Sequence, residues 1–122
     1  MNNHGTIFFR GHSGERYCFQ VWPVGTRFKP VPAVCIFSKR SYDNPNFAHS
    51  ASHRCIRIGQ TDDLARFAAA NYDAMEKSEA DCICVCIVTE PERRALMERD
   101  LLDANAAWDF VRPAYHAAPA AD

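Results

Sequence analysis

A carboxylate set among apolar residues at helical spacing is the first feature of this sequence that points to chemistry. Glu98 has four neighbours at this spacing, which are Arg94, Ala95, Leu101 and Leu102. A carboxylate turned toward a core is costly unless it is paired, hydrogen-bonded or bound to a cation. Glu98 is therefore interpreted either as one half of a salt bridge, to Arg94 or to an arginine on a strand, or as a metal ligand or an anchor for a cationic group.

An arginine in the preceding predicted helix is the second candidate. Arg66 follows Asp62 and Asp63 at a spacing that allows a local ion pair on the surface. Alternatively, its guanidinium turns toward the sheet and holds a phosphate, a role that suits arginine because its donors are fixed in a plane and its charge persists. Both interpretations are open from the residues alone.

Six cysteines form the third group of candidates, and these are Cys18, Cys35, Cys55, Cys82, Cys84 and Cys86. The last three are two residues apart, so they share one face of a strand. Because alternate residues of a strand lie roughly 7 Å apart, three thiolates cannot converge on one zinc ion, and we predict core packing instead. His49, His53 and Cys55 are a second candidate metal cluster, although their spacing is not distinctive.

Charge is unevenly distributed along the chain. Residues 1–60 hold eight lysines and arginines against two acidic residues, whereas residues 61–122 hold six against thirteen. This split predicts one electropositive and one electronegative surface, or else two solvated faces of a neutral protein. The cations expected on the electropositive surface are Arg10, Arg16, Arg27, Lys29, Lys39, Arg40 and Arg57.

The apolar and turn-forming residues predict five strands. The strands are expected at 6–10, 16–22, 33–38, 54–58 and 81–88. Residues 39–53 are expected to form a long loop, and Gly59 to end the fourth strand.

Capping residues predict two helices. Thr61 is expected to cap a helix that ends near residue 75, and Thr89 with Glu92 to open a helix that ends near Ala104. Strands and helices mix without regular alternation. This order indicates an α+β domain with a small, mainly antiparallel sheet covered by two main helices.

Composition and length predict one intracellular domain. With 122 residues, 48% of them hydrophobic, the chain can bury a core without disulfides. It has no apolar run of about 20 residues and no signal peptide, so we expect no membrane partner, reduced thiols and a cytoplasmic location. Residues 1–112 are expected to form the domain, with 1–30 as an N-terminal hairpin extension, and the Ala/Pro-rich residues 113–122 to be a flexible tail.

The order of these segments resembles the GIY-YIG nuclease superfamily over roughly residues 31–110. Ala33-Val34-Cys35 stands at the place of the first family tripeptide, and Arg57-Ile58-Gly59 at the place of the second. The stretch IGQTDDLARF is the most specific part of the match, and Arg66 within it falls at the family arginine. Glu98, in ERRALMERDLL, falls at the family glutamate. The resemblance implies a β-β-α-β-α core to which the N-terminal hairpin is added.

In that family the glutamate holds a divalent metal, the arginine contacts the phosphate and a motif tyrosine takes part in activating water. The resemblance therefore implies Mg²⁺ or Mn²⁺ at Glu98 and a phosphate at Arg66. Cys35 and Arg57 replace the two motif tyrosines, and arginine cannot act as a base because it keeps its proton. Loss of the base costs about 10²–10⁴ in rate. We therefore expect a domain without ordinary nuclease activity that binds nucleic acid or another phosphate-bearing ligand.

Two alternative functions are open. In the first, the domain is a divergent metal-dependent endonuclease or phosphodiesterase whose base is Cys35, His53 or Tyr42, so it is undecided whether the protein is an enzyme. In the second, it is a protein-interaction module without a nucleic-acid role. The acidic second half and the net charge of −1 favour the second.

Overall fold

The computed structural model describes residues 3–42 and 51–109. They form five strands, β1 (Thr6–Arg10), β2 (Arg16–Pro23), β3 (Ala33–Tyr42), β4 (Ala51–Thr61) and β5 (Cys82–Ile87), and two helices, α1 (Leu64–Lys77) and α2 (Pro91–Asp109). The predicted α+β class is therefore confirmed. In the described part of the chain, neither helix combines the length and the apolar character needed to cross a membrane. The predicted tail at 113–122 lies outside the described residues.

All five strands pair antiparallel in one sheet, in the order β1-β2-β5-β3-β4. β5 is the last strand in sequence and the central strand in space, so it joins the β1-β2 hairpin to the β3-β4 hairpin. Its first four residues are all buried, because the strand is paired on both sides and covered on both faces.

Each helix covers one face of the sheet, and the alternation of side chains creates a core under each helix. The core beneath α2 includes Phe19, Val21, Val34, Ile36, Ile58, Cys84, Met97 and Leu101. The core beneath α1 includes Ala33, Cys35, Phe37, Leu64, Ala68, Ile83 and Val85. We call these two faces the α2 side and the α1 side.

Both helices begin at residues other than those predicted. Asp63 is the N-cap of α1, since its carboxylate accepts a hydrogen bond from the backbone N–H of Arg66 at 3.2 Å. The carbonyl of Glu90 accepts the first backbone bond of α2, from the N–H of Arg94 at 3.0 Å. The predicted caps at Thr61 and Thr89 are therefore wrong by two residues and one residue.

The β3-β4 hairpin is longer than predicted. β3 runs to Tyr42 and β4 starts at Ala51, so the predicted loop at 39–53 is too long at both ends. Ladder pairing forms a strand in spite of the polar composition that suggested a loop. The prediction that Gly59 ends the strand is also wrong, because β4 continues through it to Thr61.

Candidate functional site

The last residues of β4, at 58–61, lie between the two helices. Side chains along residues 58–61 of β4 alternate between the α1 side and the α2 side. On the α1 side, Gly59 lies against the ring of Phe67, and a Cβ at position 59 would come within 2.8 Å of the Cζ of Phe67. Gly59 is therefore needed for the close approach of α1 to β4.

On the α2 side, Gln60 reaches a buried arginine. Arg94 is only 6% exposed, and its Nε donates a hydrogen bond to Oε1 of Gln60 at 3.1 Å. Its Nη1 donates to the carbonyls of Val88 and Thr89 at 3.1 Å and 3.2 Å. Arg94 thus ties the end of β4 and the β5-α2 connection to α2.

This structural role of Arg94 was not predicted, although the sequence contains a signal for it. Arg94, Met97 and Leu101 form one buried stripe of α2, and their spacing of three and four residues is that of one helix face. Glu98 is half-buried at the border of this stripe, as its spacing predicted.

The fold divides three of the candidate catalytic positions between the two faces of the sheet. Arg57 pairs with Phe37, and its guanidinium carbon lies 5.7 Å from the ring centroid of Phe67, on the α1 side. Arg66 is exposed on α1, whereas Glu98 is carried by α2 on the other face. β4 and α2 do come together, through the hydrogen bond between Gln60 and Arg94 and through core packing that includes Ile58 and Met97. The roles of Arg66 and Glu98 stay predictions.

Cys35 lacks the properties of a base or nucleophile. Its side chain is 0% exposed. Burial, followed by the neighbouring thiols of Cys84 and Cys86, raises the pKa of the Cys35 thiol to about 12. The thiol is therefore protonated at neutral pH and shielded from any substrate.

The second candidate base, His53, is held by a neighbouring strand. Its Nδ1 lies 2.9 Å from the hydroxyl of Ser38, a side chain that is fully buried. Burial, followed by the charge of Arg40, lowers the pKa of His53. The side chain of the third candidate, Tyr42, lies outside the described residues.

Core packing, predicted for the cysteine row on β5, is confirmed for Cys82 and Cys84, which are 2% and 0% exposed. Cys86, at the end of the row, is half-buried. Throughout residues 3–42 and 51–109, no three His, Cys, Asp or Glu side chains are grouped so that they could hold a metal ion. His49, a member of the other predicted cluster, lies outside those residues, and the predicted Mg²⁺ or Mn²⁺ at Glu98 stays a prediction.

The seven predicted surface cations occupy several places. Lys39 and Arg40 lie on the half of β3 next to the start of β5, where the carboxylate of Asp81 is 3.7 Å from Nζ of Lys39 and accepts a 2.8 Å bond from the backbone N–H of Arg40. Arg27 and Lys29 are exposed in the connection between β2 and β3.

Arg10 and Arg16 lie together on the N-terminal hairpin. The two residues are direct partners in the β1-β2 ladder, so their side chains leave the sheet on the same face. The guanidinium carbon of Arg16 lies 4.6 Å from the ring centroid of Phe8, which is a cation–π contact. Phe8 is nevertheless 53% exposed.

We call this surface the hairpin face, and it consists of the α1-side residues of the five β1-β2 ladder pairs, which are Thr6, Phe8, Arg10, Arg16, Cys18 and Gln20. All six are exposed, because α1 packs over β3 and β5 and leaves the hairpin uncovered on this side. None of the six is acidic. The hairpin face can therefore offer two cations and an aromatic ring to a ligand.

Comparison with protein-family models, with curated proteins and with solved structures finds no match to this chain.

Proposed function

We propose that this domain binds nucleic acid through the hairpin face and does not cleave it. The observation that carries the proposal is the pair Arg10 and Arg16, side by side on an exposed surface whose strand residues include no carboxylate. Phosphate neutralisation by arginine provides most of the affinity of non-specific nucleic-acid binding. The hairpin face lies outside the segments that resemble the nuclease core, so the proposal does not depend on that resemblance.

Binding without cleavage is proposed because neither residue at the two motif tyrosine positions can act as a base. Cys35 is buried and protonated, and Arg57 keeps its proton at any usable pH. His53 is bonded to the buried hydroxyl of Ser38.

The test is a fluorescence-anisotropy titration of a labelled oligonucleotide between about 50 mM and about 200 mM salt. We expect the affinity to fall steeply with salt. The double variant Arg10→Ala/Arg16→Ala should bind more weakly. The variant should also make the negative slope of log affinity against log salt shallower, by about 1.4 for a single strand or about 1.8 for a duplex.

The matched control is the double variant Lys77→Ala/Arg99→Ala. It removes the same number of positive charges, and both side chains are 77% exposed members of surface ion pairs on the helices. Equal loss in the two double variants would show a diffuse charge effect and contradict the proposal, as would absence of binding by the wild type. Cleavage in Mg²⁺ or Mn²⁺ that Glu98→Ala abolishes would favour the nuclease alternative instead.

A further inference from the structure

We infer that the hairpin face takes single-stranded nucleic acid, with one base stacked on Phe8 and the adjoining phosphates on Arg10 and Arg16. This inference rests on the proposed function and adds to it the strandedness of the ligand and the contact that selects it. The aromatic ring, rather than the charges, distinguishes a single strand from a duplex.

The ring of Phe8 is exposed to solvent, whereas the side chains of its neighbours in β1 are packed. Ile7 and Phe9 turn to the α2 side and pack on the core there, whereas Phe8 is 53% exposed on the opposite side. An aromatic ring that covers no core adds less burial to folding than a core ring does, and its exposed surface offers a base a stacking surface.

The groups around Phe8 are arranged in rows across the strands. Phe8 is opposite Cys18, and the next row toward the turn is Arg10 opposite Arg16. On β5, beyond the last pair of the β2-β5 ladder, Ile87 is 53% exposed on the same face. An apolar row thus lies parallel to a cationic row about 7 Å away. A nucleotide presents the same two chemistries, a base and a phosphate.

A duplex can contact the cationic row through its phosphates but cannot stack on the apolar row. Its bases are stacked on one another inside the helix, so their flat faces cannot reach an aromatic side chain on an open sheet. A single strand exposes those faces, and the guanidinium of Arg16, already stacked on Phe8, adds a planar cation. The pair of cations on this face makes nucleic acid a better fit than an apolar protein surface, which would leave both charges desolvated.

The first test measures the affinity for two probes, single-stranded oligo(dT) and the oligo(dT)·oligo(dA) duplex. Both are measured for the wild type and for Phe8→Ala. We expect the wild type to bind oligo(dT) more tightly than the duplex. Phe8→Ala should weaken oligo(dT) binding by roughly 5- to 150-fold, the range found for loss of one stacked base, and leave duplex binding unchanged. Phe8→Trp should retain the single-strand affinity, which a merely structural role of the residue would not predict.

Leu96→Ala is the matched control for loss of an exposed apolar side chain. Leu96 is 72% exposed on α2, so we expect this variant to bind oligo(dT) as the wild type does. Thermal unfolding of Phe8→Ala should match that of the wild type, because the ring is outside both cores.

The second test locates the ligand with Cys18, the exposed thiol directly opposite Phe8. Labelling by N-ethylmaleimide, followed by mass spectrometry of the peptide that contains Cys18, should slow in proportion to the fraction of protein bound to oligo(dT). Cys18→Ser identifies the labelled peptide.

The outcomes separate this inference from the proposed function. No binding of either probe means that the proposed function fails, and the inference fails with it. Salt-sensitive binding that is equal for the two probes, or is unaffected by Phe8→Ala, or leaves Cys18 unprotected, overturns the inference alone. Protection of Cys18 that depends on protein concentration without any oligonucleotide would assign the face to a second copy of the chain and also overturn it.

Discussion

Asp100 connects the turn of the N-terminal hairpin to α2. Its carboxylate accepts hydrogen bonds from the backbone N–H of Ser13 at 2.8 Å, from the hydroxyl of Ser13 at 2.6 Å and from the hydroxyl of Tyr17 at 2.7 Å. A Cβ at Gly11 would come within 2.0 Å of this carboxylate, so the turn can close around Asp100 only because residue 11 is glycine.

The same contacts make this junction sensitive to pH. The hydroxyl bond from Ser13, followed by the bond from Tyr17, lowers the pKa of Asp100, and burial followed by the bond to Asp100 raises the pKa of Tyr17 to about 12. An unfolded aspartate has a pKa near 3.9. Since the pKa is lower in the folded state, the ionised carboxylate stabilises the fold above that value, and the contribution is lost as the pH falls through the folded pKa.

We therefore predict that Asp100→Asn lowers the free energy of unfolding by about 1 kcal/mol at pH 7, the usual scale for loss of hydrogen bonds to a partly exposed group. The difference from the wild type should shrink between about pH 5 and about pH 2. Urea denaturation at a series of pH values measures it. Asp103→Asn is the control, since Asp103 forms only a surface pair with Arg99. A difference that is independent of pH would contradict the assignment.

No local pattern in the sequence predicts the role of Asp100. Ser13 is 87 positions away along the chain, and the contact exists only because α2 crosses the sheet toward the hairpin. Arg94 is different, because its place in the apolar stripe of α2 is readable from spacing, although its partner Gln60 is not. A residue's role can thus be predicted from sequence when it follows from the periodicity of one helix or strand. It cannot be predicted when it requires a contact with a second element that is distant in sequence.

At the scale of the elements, β4 contacts both helices. Gly59 sets its distance from α1, and Gln60 ties it to α2. The prediction that Gly59 would break β4 followed from the low strand propensity of glycine. Packing of Phe67 onto the strand outweighs that propensity, because only hydrogen fits beneath the ring. Element types were predictable because they follow from periodicity, whereas this boundary depends on a contact with the next helix.

We predict that Gly59→Ala lowers the free energy of unfolding by about 1 to 3 kcal/mol, the usual cost of overpacking a core. The added methyl group must displace the ring of Phe67. A double-mutant cycle with Phe67→Leu, measured by thermal and urea unfolding, checks the cause. The smaller side chain should relieve most of the cost, and strictly additive effects of the two substitutions would contradict it.

For the whole molecule, two cores share one sheet. The thiols of Cys35 and Cys84 lie on the α1 side and the α2 side, both 0% exposed. Burial is the first cause that raises the pKa of each to about 12. Each thiol therefore reports on the opening of one core.

We predict that Cys35 and Cys84 are labelled by maleimide at one common rate, set by global unfolding, because loss of either helix exposes strands that both cores share. Pulse labelling with mass spectrometry of the two peptides measures both rates in one sample. Cys18, which is exposed, is the internal control for reagent activity. Labelling of one buried thiol well ahead of the other would show that one face opens independently.

The charge pattern of the sequence identified the excess of cations in the first half of the chain. It did not predict where those cations lie on the folded surface. Two of the seven cations share the hairpin face, whereas Lys39 and Arg40 meet Asp81. Asp81 directly precedes β5, late in the sequence, and it lies beside β3 only because β5 is central. A charge count along the chain does not contain that information.

The position of β2 has a consequence for solubility. β2 covers one flank of β5, the apolar CICVCI strand, and contributes Phe19 and Val21 to the core beneath α2. A chain cut back to the part that resembles the nuclease superfamily would turn β5 into an unprotected edge strand, the kind of template on which intermolecular sheets and amyloid grow. The hairpin that looks like an appendage in the sequence thus covers the edge of β5 that such a truncation would expose.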